Sequence, residues 1–384
     1  MKYWKLSHIS AGLTAVTVGY SSAVVIVIDL ARSAGATEPM VVSWLLALGI
    51  GMGATCIVFS WLTKLPVVTA WSTPGAAFLL TSVGDYSLQE SIGAFVTCAL
   101  LSLVAAQSRR LLTLISRIPV AISSALLAGI LLPICLAIFS DVNEAPLLVA
   151  TFLAVYMVGS RLFPHYLMLV LLSLSLVISL FFQSETNAAL HFTLPSPVWV
   201  TPHFSLSATV GLAIPLFIIT TLSQNLPGIA IHHAHGYRPD HKPILSGIAL
   251  VQGLLAPLGG FTFNLAAITA ALCMGEQADQ DKSQRYKAAI AAGIGYLLMG
   301  LLASVVVGLF VSMPVIIIHL LAGLALLGTL QGALAKCVEI EQHRAPALIT
   351  LLCTASAFSL FSITSAVWGL TLGLLLLLVQ KKKP

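Results

Sequence analysis

Charge is what this chain has least of. Thirteen acidic and eighteen basic side chains are spread over 384 residues, so charged residues make up 8% of the sequence, against about 25% in a typical soluble domain. Hydrophobic residues make up 58% and the mean hydropathy is +1.01. A water-soluble fold of this length cannot bury that much apolar surface, so the composition predicts an all-α polytopic membrane protein.

The constellations of catalysis and nucleotide binding are missing too. There is no Gly-rich loop ending in Lys-Ser/Thr, which argues against ATP-driven transport. The apolar runs hold no paired carboxylates, metal cluster or nucleophile–base pair, which argues against a membrane enzyme. The six cysteines show no zinc-like spacing: Cys56, Cys98, Cys135, Cys273 and Cys353 lie in apolar runs, and Cys337 reads as a loop residue with charged neighbours. Reduced packing thiols are expected, with no metal and no cofactor. The N-terminal "MKYWKLSHISAGLTAV" starts positive, but its apolar run is too long for a secretory signal and reads as a first span.

What is present is a series of apolar runs. Fourteen are expected, at 8–30, 40–63, 66–82, 88–107, 119–139, 145–160, 165–183, 204–231, 243–258, 260–275, 288–312, 314–335, 346–361 and 363–380. With both termini cytoplasmic, one side collects Lys2, Lys5, Lys64, Arg109, Arg110, Arg117, Arg161, Arg238, Lys242, Lys282, Arg285, Lys287, Lys336, Arg344 and Lys381, Lys382 and Lys383. The other side holds Asp85, Asp141, Glu144 and Glu185, with Arg32 its only basic residue, as the positive-inside rule requires. The net charge of +5 is therefore a topology signal and implies no nucleic acid. The histidines of "IHHAHGYRPDH" (231–241) read as a solvated or headgroup-facing cytoplasmic loop. "GLTAVTVGY" and "GIGMG" read as small-residue faces for helix packing.

The two halves resemble each other. His8-x-Ser recurs at His203, and Pro119 at Pro314, both at an offset of 195; the Leu-Ala-Gly triplets of "RIPVAISSALLAGILL" and "SMPVIIIHLLAGLALL" are offset by 194. Two expected spans are short and broken, by "WSTPG" after Pro66 and by "LGGFTFN" after Pro257, an offset of 191. Seven spans is an odd number, so two such halves, 1–190 and 191–384, would be inverted repeats. Broken segments at matching places in inverted repeats point to a midplane substrate site. Packed kinks are the plainer alternative.

The breaks carry the candidate residues. Ser72 or Thr73 is a good N-cap and Pro74 suits the first helical position, so a half-helix would aim free N–H groups and its positive end at the break. Gly259 and Gly260 permit close approach, and Thr262 or Asn264 can cap a second half-helix. Trp71, Phe78, Phe261 and Phe263 supply rings. Gln224 and Asn225, before Pro227, are amides in an apolar span, costly unless partnered. Tyr20 is an equivalent candidate on the first span. The sum suits a small, flat, monoanionic aromatic molecule.

"HISAGLTAVTVGYSSAV", "WSTPGAAFL", "QNLPGIA" and "PLGGFTFNLAAITAA" together resemble the benzoate:proton symporter (BenE-type) family, over essentially the whole chain. The family is similar in architecture to nucleobase and sulfate transporters. The resemblance implies a core domain (spans 1–4 and 8–11) moving against a gate domain (spans 5–7 and 12–14) in an inner membrane, with substrate held between spans 3 and 10. Compared with nucleobase carriers, Asn264 matches a site Asn, while Phe263 and Gln224 stand where those carriers have acidic residues. The missing carboxylates fit an anionic substrate.

The expectation is thus a secondary active carrier importing benzoate or a similar aromatic monocarboxylate with a proton, by alternating access. Asp29, His319 in "VIIIHLLAG", and the substrate's own carboxyl are the candidates for carrying the proton. Expected partners are substrate, protons, lipid and, as in the wider fold, a second copy of the chain. The alternatives are a carrier of another small organic anion or a nucleobase, and a passive anion channel.

Overall fold

Small residues set how closely helices approach here, and the "GIGMG" run shows it. The computed structural model describes residues 4–108, 110, 111, 113, 117–164, 166–182, 193–311, 313–360 and 363–381. Lys2, Arg109, Glu185, Lys382 and Lys383 lie outside the described residues. Among those described, six helices are long and apolar enough to cross a membrane: Leu6–Ser33, Glu38–Thr63, Leu88–Gln107, Val120–Phe139, Leu206–Ala234 and Val315–Val338. A pair bent by 61°, Lys282–Leu301 with Ala303–Phe310, makes a seventh. The molecule is a helical, multi-pass membrane protein.

In chain order the elements are α1 (Leu6–Ser21), α2 (Val24–Ser33), α3 (Glu38–Thr63), β1 (Thr69–Trp71), α4 (Thr73–Ser82), α5 (Leu88–Gln107), α6 (Val120–Leu136), α7 (Pro146–Leu162) and α8 (Leu167–Phe182). Then come α9 (Leu206–Ala234), α10 (His241–Leu255), β2 (Phe263–Leu265), α11 (Ile268–Met274), α12 (Tyr286–Leu301), α13 (Ala303–Val311), α14 (Val315–Val338) and α15 (Arg344–Ala355). A two-residue hairpin ladder, β3 (Ser359–Leu360) with β4 (Ile363–Thr364), precedes α16 (Ser365–Lys381). The expected first span is interrupted between α1 and α2, after Ser21. Cys337, expected in a loop, is a buried residue in the last turn of α14, because the apolar 3.6-residue period of that helix runs on past Lys336.

The chain folds into two compact units. The first comprises 1–19, 30–118 and 194–303; the second comprises 20–29, 119–193 and 304–384.

In the first unit α3 packs along α12 and α10. A Cβ on Gly49 would lie 2.6 Å from Gly300 Cα, and one on Gly53 would lie 2.8 Å from Gly293 O. Backbone meets backbone there, and the many close dispersion contacts hold helices that gain nothing from hiding apolar surface in lipid. At one end of this unit Asp279 is fully buried between Lys5 Nζ (2.9 Å) and His8 Nε2 (2.7 Å). The Lys5 backbone N–H donates to His8 Nδ1 (3.0 Å), so Nε2 carries the ring proton and donates it to Asp279 Oδ2. Lys5 beside it, and the Asp281 N–H, hold the Asp279 carboxyl well below the usual carboxylate range. Arg285, expected as a topology signal, is buried and donates to the carbonyls of Asp279 (2.6 Å) and Met274 (2.7 Å).

Of the expected solvated histidine loop, His233 is exposed and His235 and His241 are half-buried, but His232 differs. His232 is fully buried, its Nδ1 donates to Gly228 O at 2.8 Å, and its ring meets that of His241 edge-on at 5.6 Å. No group of His, Cys, Asp or Glu able to hold a metal occurs among the described residues.

In the second unit α6 packs against α14, α15 and α16. A Cβ on Gly129 would lie 2.7 Å from Leu351 O, again a helix-to-helix backbone contact. His319, expected within an apolar run, pairs through Nδ1 with Asp141 Oδ2 at 2.9 Å, and both side chains are partly exposed. That hydrogen bond holds the Asp141 carboxyl below its ordinary range. Tyr20, buried, and Asp29 both fall in this unit.

Candidate functional site

The two broken segments meet as strands. β1 and β2 pair antiparallel, with Thr69 opposite Leu265, Ala70 opposite Asn264 and Trp71 opposite Phe263. A half-helix leaves each strand: α4 after Trp71 and α11 after Leu265. Extended backbone inside a membrane protein must satisfy its polar groups locally, and here side chains take the N–H groups the ladder leaves over. Thr69 N donates to Cys56 Sγ (3.1 Å) and Trp71 N to Met52 Sδ (3.2 Å), both on α3. Phe263 N points to Gln252 Oε1 (3.4 Å) on α10, and Leu265 N donates to Asn225 Oδ1 (3.0 Å) on α9.

Helix α9 is shaped for this contact. It opens into π-type turns at Thr209–Ala213 and Thr221–Asn225, each ending two residues before a proline, Pro215 or Pro227. Proline lacks an N–H and its ring crowds the carbonyl of the preceding turn; a wider turn relieves both, and such turns recur at functional sites. The second π turn carries Gln224 and Asn225 to the strand. Gly228 lets them come close, since a Cβ there would lie 2.5 Å from Leu265 Cβ.

Side chains alternate across a strand. Phe263 therefore points away from Asn264, and packs where a Cβ on Gly51 of α3 would lie 2.3 Å from its ring. Phe261 stacks edge-on with Phe95 at 6.3 Å. The opposite face carries Thr262, 3.5 Å from Thr220, and Asn264, 3.5 Å from Gln224 Oε1; both distances are at the outer limit of a hydrogen bond. Asn264 is fully buried. Its Nδ2 donates to Leu265 O at 2.9 Å, which settles the orientation of the amide, and its Oδ1 has no partner. A buried acceptor left unpaired costs about 1–3 kcal/mol, so this atom calls for a functional explanation.

The half-helix ends differ from expectation. Ser72 is the N-cap of α4, with Thr73 and Pro74 the first two helical residues. Its hydroxyl accepts the Gly75 N–H at 3.0 Å and its carbonyl accepts the Ala76 N–H at 2.8 Å. Because Pro74 has no N–H, at most the Thr73 N–H remains to face a ligand. Neither Thr262 nor Asn264 caps α11: its N-cap is Ala267, without a side-chain bond. The two residues are spent in and beside strand β2 instead. Gly260 is buried next to Leu255.

Sequence reasoning missed Gln252, Thr220, Thr69 and Asp279. Gln252 was findable, as a lone amide in the apolar run "IALVQGLL". Its Nε2 donates to the carbonyls of Phe95 and Phe261, both at 3.2 Å.

The family model described as "Benzoate membrane transport protein" (BenE) matches residues 2–379. The chain belongs to the BenE family. It is 37% identical over 372 residues to the benzoate membrane transport protein of Acinetobacter baylyi, covering 97% of this chain and 94% of that one. It is 37% identical over 363 residues to the inner membrane protein YdcO of Escherichia coli, covering 94% and 93%. The transmembrane domain of the cyanobacterial bicarbonate transporter BicA shares the fold, with a TM-score of 0.60 at 12% identity over 98% of this chain and 97% of that domain. So does the murine anion transporter Slc26a9 in its inward-facing state, with a TM-score of 0.64 at 13% identity over 100% of this chain and 70% of that one. This BenE-family chain is a membrane transporter and not an enzyme.

Proposed function

We propose that this transporter is a secondary active carrier that imports benzoate or a similar aromatic monocarboxylate together with a proton, by alternating access. The observation that carries the reading is 37% identity, over 97% of the chain, to a relative named for benzoate transport. The buried ladder supports it physically. Asn264 and Gln224 offer polar recognition without a carboxylate that would repel an acid substrate. In this reading the chain crosses the membrane fourteen times as two inverted repeats, with both termini cytoplasmic. The unit holding the ladder moves the substrate against the other unit, which acts as the gate and supplies the contacts of a homodimer.

Uptake of labelled benzoate into proteoliposomes tests this. Accumulation above equilibrium under an inward proton gradient, abolished by a protonophore and absent from empty liposomes, is expected. Equilibration without accumulation indicates a passive channel. Uptake no greater than in empty liposomes removes benzoate as the substrate and leaves the fold and family standing.

A further inference from the structure

The ladder carries an acceptor without a donor. Asn264 has committed its amide hydrogens to Leu265 O and to Gln224 Oε1, and what it leaves open is Oδ1, fully buried and unpaired. A carboxylate has only acceptor oxygens and gains nothing from a second acceptor. A carboxylic acid has an O–H to donate and a C=O to accept. The neighbouring Gln224, partly exposed, keeps an amide donor for that C=O. The helix end expected to attract an anion is largely used up by its own cap, Ser72. Ala70, the residue opposite Asn264 in the ladder, has only a methyl side chain.

No carboxylate lies on β1, β2, α9 or α10, and that of Glu38 on α3 is exposed in the first turn of its helix. The elements packed against β2 are β1, α3, α9 and α10. Their titratable groups are Glu38 and the Cys56 thiol on α3, which receives the Thr69 N–H; His232 and His233 on α9; and His241 and Lys242 on α10. Asp279, a buried carboxylate of this unit, is held ionised by Lys5 and His8.

From this donor and acceptor pattern we infer that the ladder takes the undissociated carboxylic acid, its hydroxyl donated to Asn264 Oδ1, so that the coupled proton travels on the substrate. This rests on the reading of the chain as a carrier of aromatic monocarboxylates. The proton balance is simple. The anion takes one proton from water on the outer side, crosses as the neutral acid, and gives the proton back inside. One proton moves per substrate and no net charge crosses.

Calorimetric binding to the purified full-length protein tests the inference with two probes, benzoate and benzamide. Benzamide is permanently neutral and, like the acid, offers both a donor and an acceptor. Benzamide is expected to bind with an affinity that does not change between pH 5 and 8. The apparent affinity for total benzoate is expected to fall about tenfold per pH unit across that range, following the neutral fraction. The folded Asn264→Ala protein, checked by size-exclusion chromatography, is expected to lose at least tenfold in benzamide affinity. Benzoate binding that is independent of pH, with no benzamide binding, overturns the inference while the benzoate reading survives. Benzamide binding unchanged in folded Asn264→Ala also overturns it. Should that variant fail to fold, the wild-type pH dependence and benzamide binding decide. Absence of binding by either probe at every pH defeats the substrate reading itself.

Discussion

The two units bury very different chemistry. Among the described residues, the first unit buries His8, His232, Gln252, Asn264, Asp279, Arg285 and Lys287, whereas the buried polar side chains of the second are only hydroxyls: Ser124, Ser175, Ser179, Thr350, Thr354, Thr364 and Ser365. A buried Ser or Thr is cheap, because it can return its O–H to a carbonyl one turn back, as Ser175 does to Leu171 and Thr350 to Pro346. Amides and charges cannot be satisfied that way and need partners from other segments. The first unit therefore had to be built around its polar groups, and the second around helix packing. That contrast is what the proposed division into a recognition unit and a gate unit would require.

The sharpest way to break this comparison is to remove recognition from one unit and polarity from the other. Asn264→Ala and Gln224→Ala are each expected to lower benzoate uptake in proteoliposomes at least tenfold with the protein still folded, while Ser124→Ala in α6 stays within twofold of wild type. Equal losses at Ser124 would dissolve the distinction.

Next in size is the buried clasp. Asp279→Asn removes the charged acceptor of His8 and of Lys5, whose side chain is 59% exposed, and is expected to cost about 1–2 kcal/mol, read as a lower thermal unfolding midpoint in detergent. Asp141→Asn, at the partly exposed pair of the second unit, is expected to leave that midpoint unchanged. Acid titration adds a check of sign. The folded-state pKa of Asp279 is depressed, so its stabilisation is complete above the unfolded value, about 4, and disappears as pH falls toward the folded value. The gap between wild type and Asp279→Asn should be constant from pH 7 to 5 and close only below about 4. A gap that closes between pH 7 and 5 would mean the carboxylate is not held as described.

The smallest effect is expected at His319. If the proton rides on the substrate, His319→Gln retains proton-driven accumulation within twofold of wild type. Loss of accumulation with facilitated equilibration intact would make His319 a proton relay and give the second unit chemistry of its own.

The places where the backbone breaks were legible because breaking a membrane helix is expensive. Ser-Thr-Pro-Gly and Gly-Gly inside apolar runs announced broken spans with half-helices, and the structure adds a short strand at each break. A cap at Ser72 or Thr73 was legible because capping is local, a bond to an N–H three residues on, and the structure assigns it to Ser72. The π turns had a signal in Pro215 and Pro227 that composition alone obscured. The role of Asn264 was not legible as a strand residue: its spacing from α11 fitted a cap as well, and only pairing with Ala70 decided otherwise. Phe261 and Phe263 counted as candidate site rings until the register turned Phe263 toward Gly51 and packing set Phe261 against Phe95.

The sequence by itself determined the membrane class, the places where helices break and the family, because each depends on composition, on local backbone rules or on motifs read in order. Which atoms face one another was decided only by tertiary structure. Asp279 meets His8 across 271 residues of chain, and Asn264 meets Gln224 across 40. No local rule connects such distant positions. Their encounter follows from the packing of whole helices, which leaves Asn264 Oδ1 buried without a protein donor.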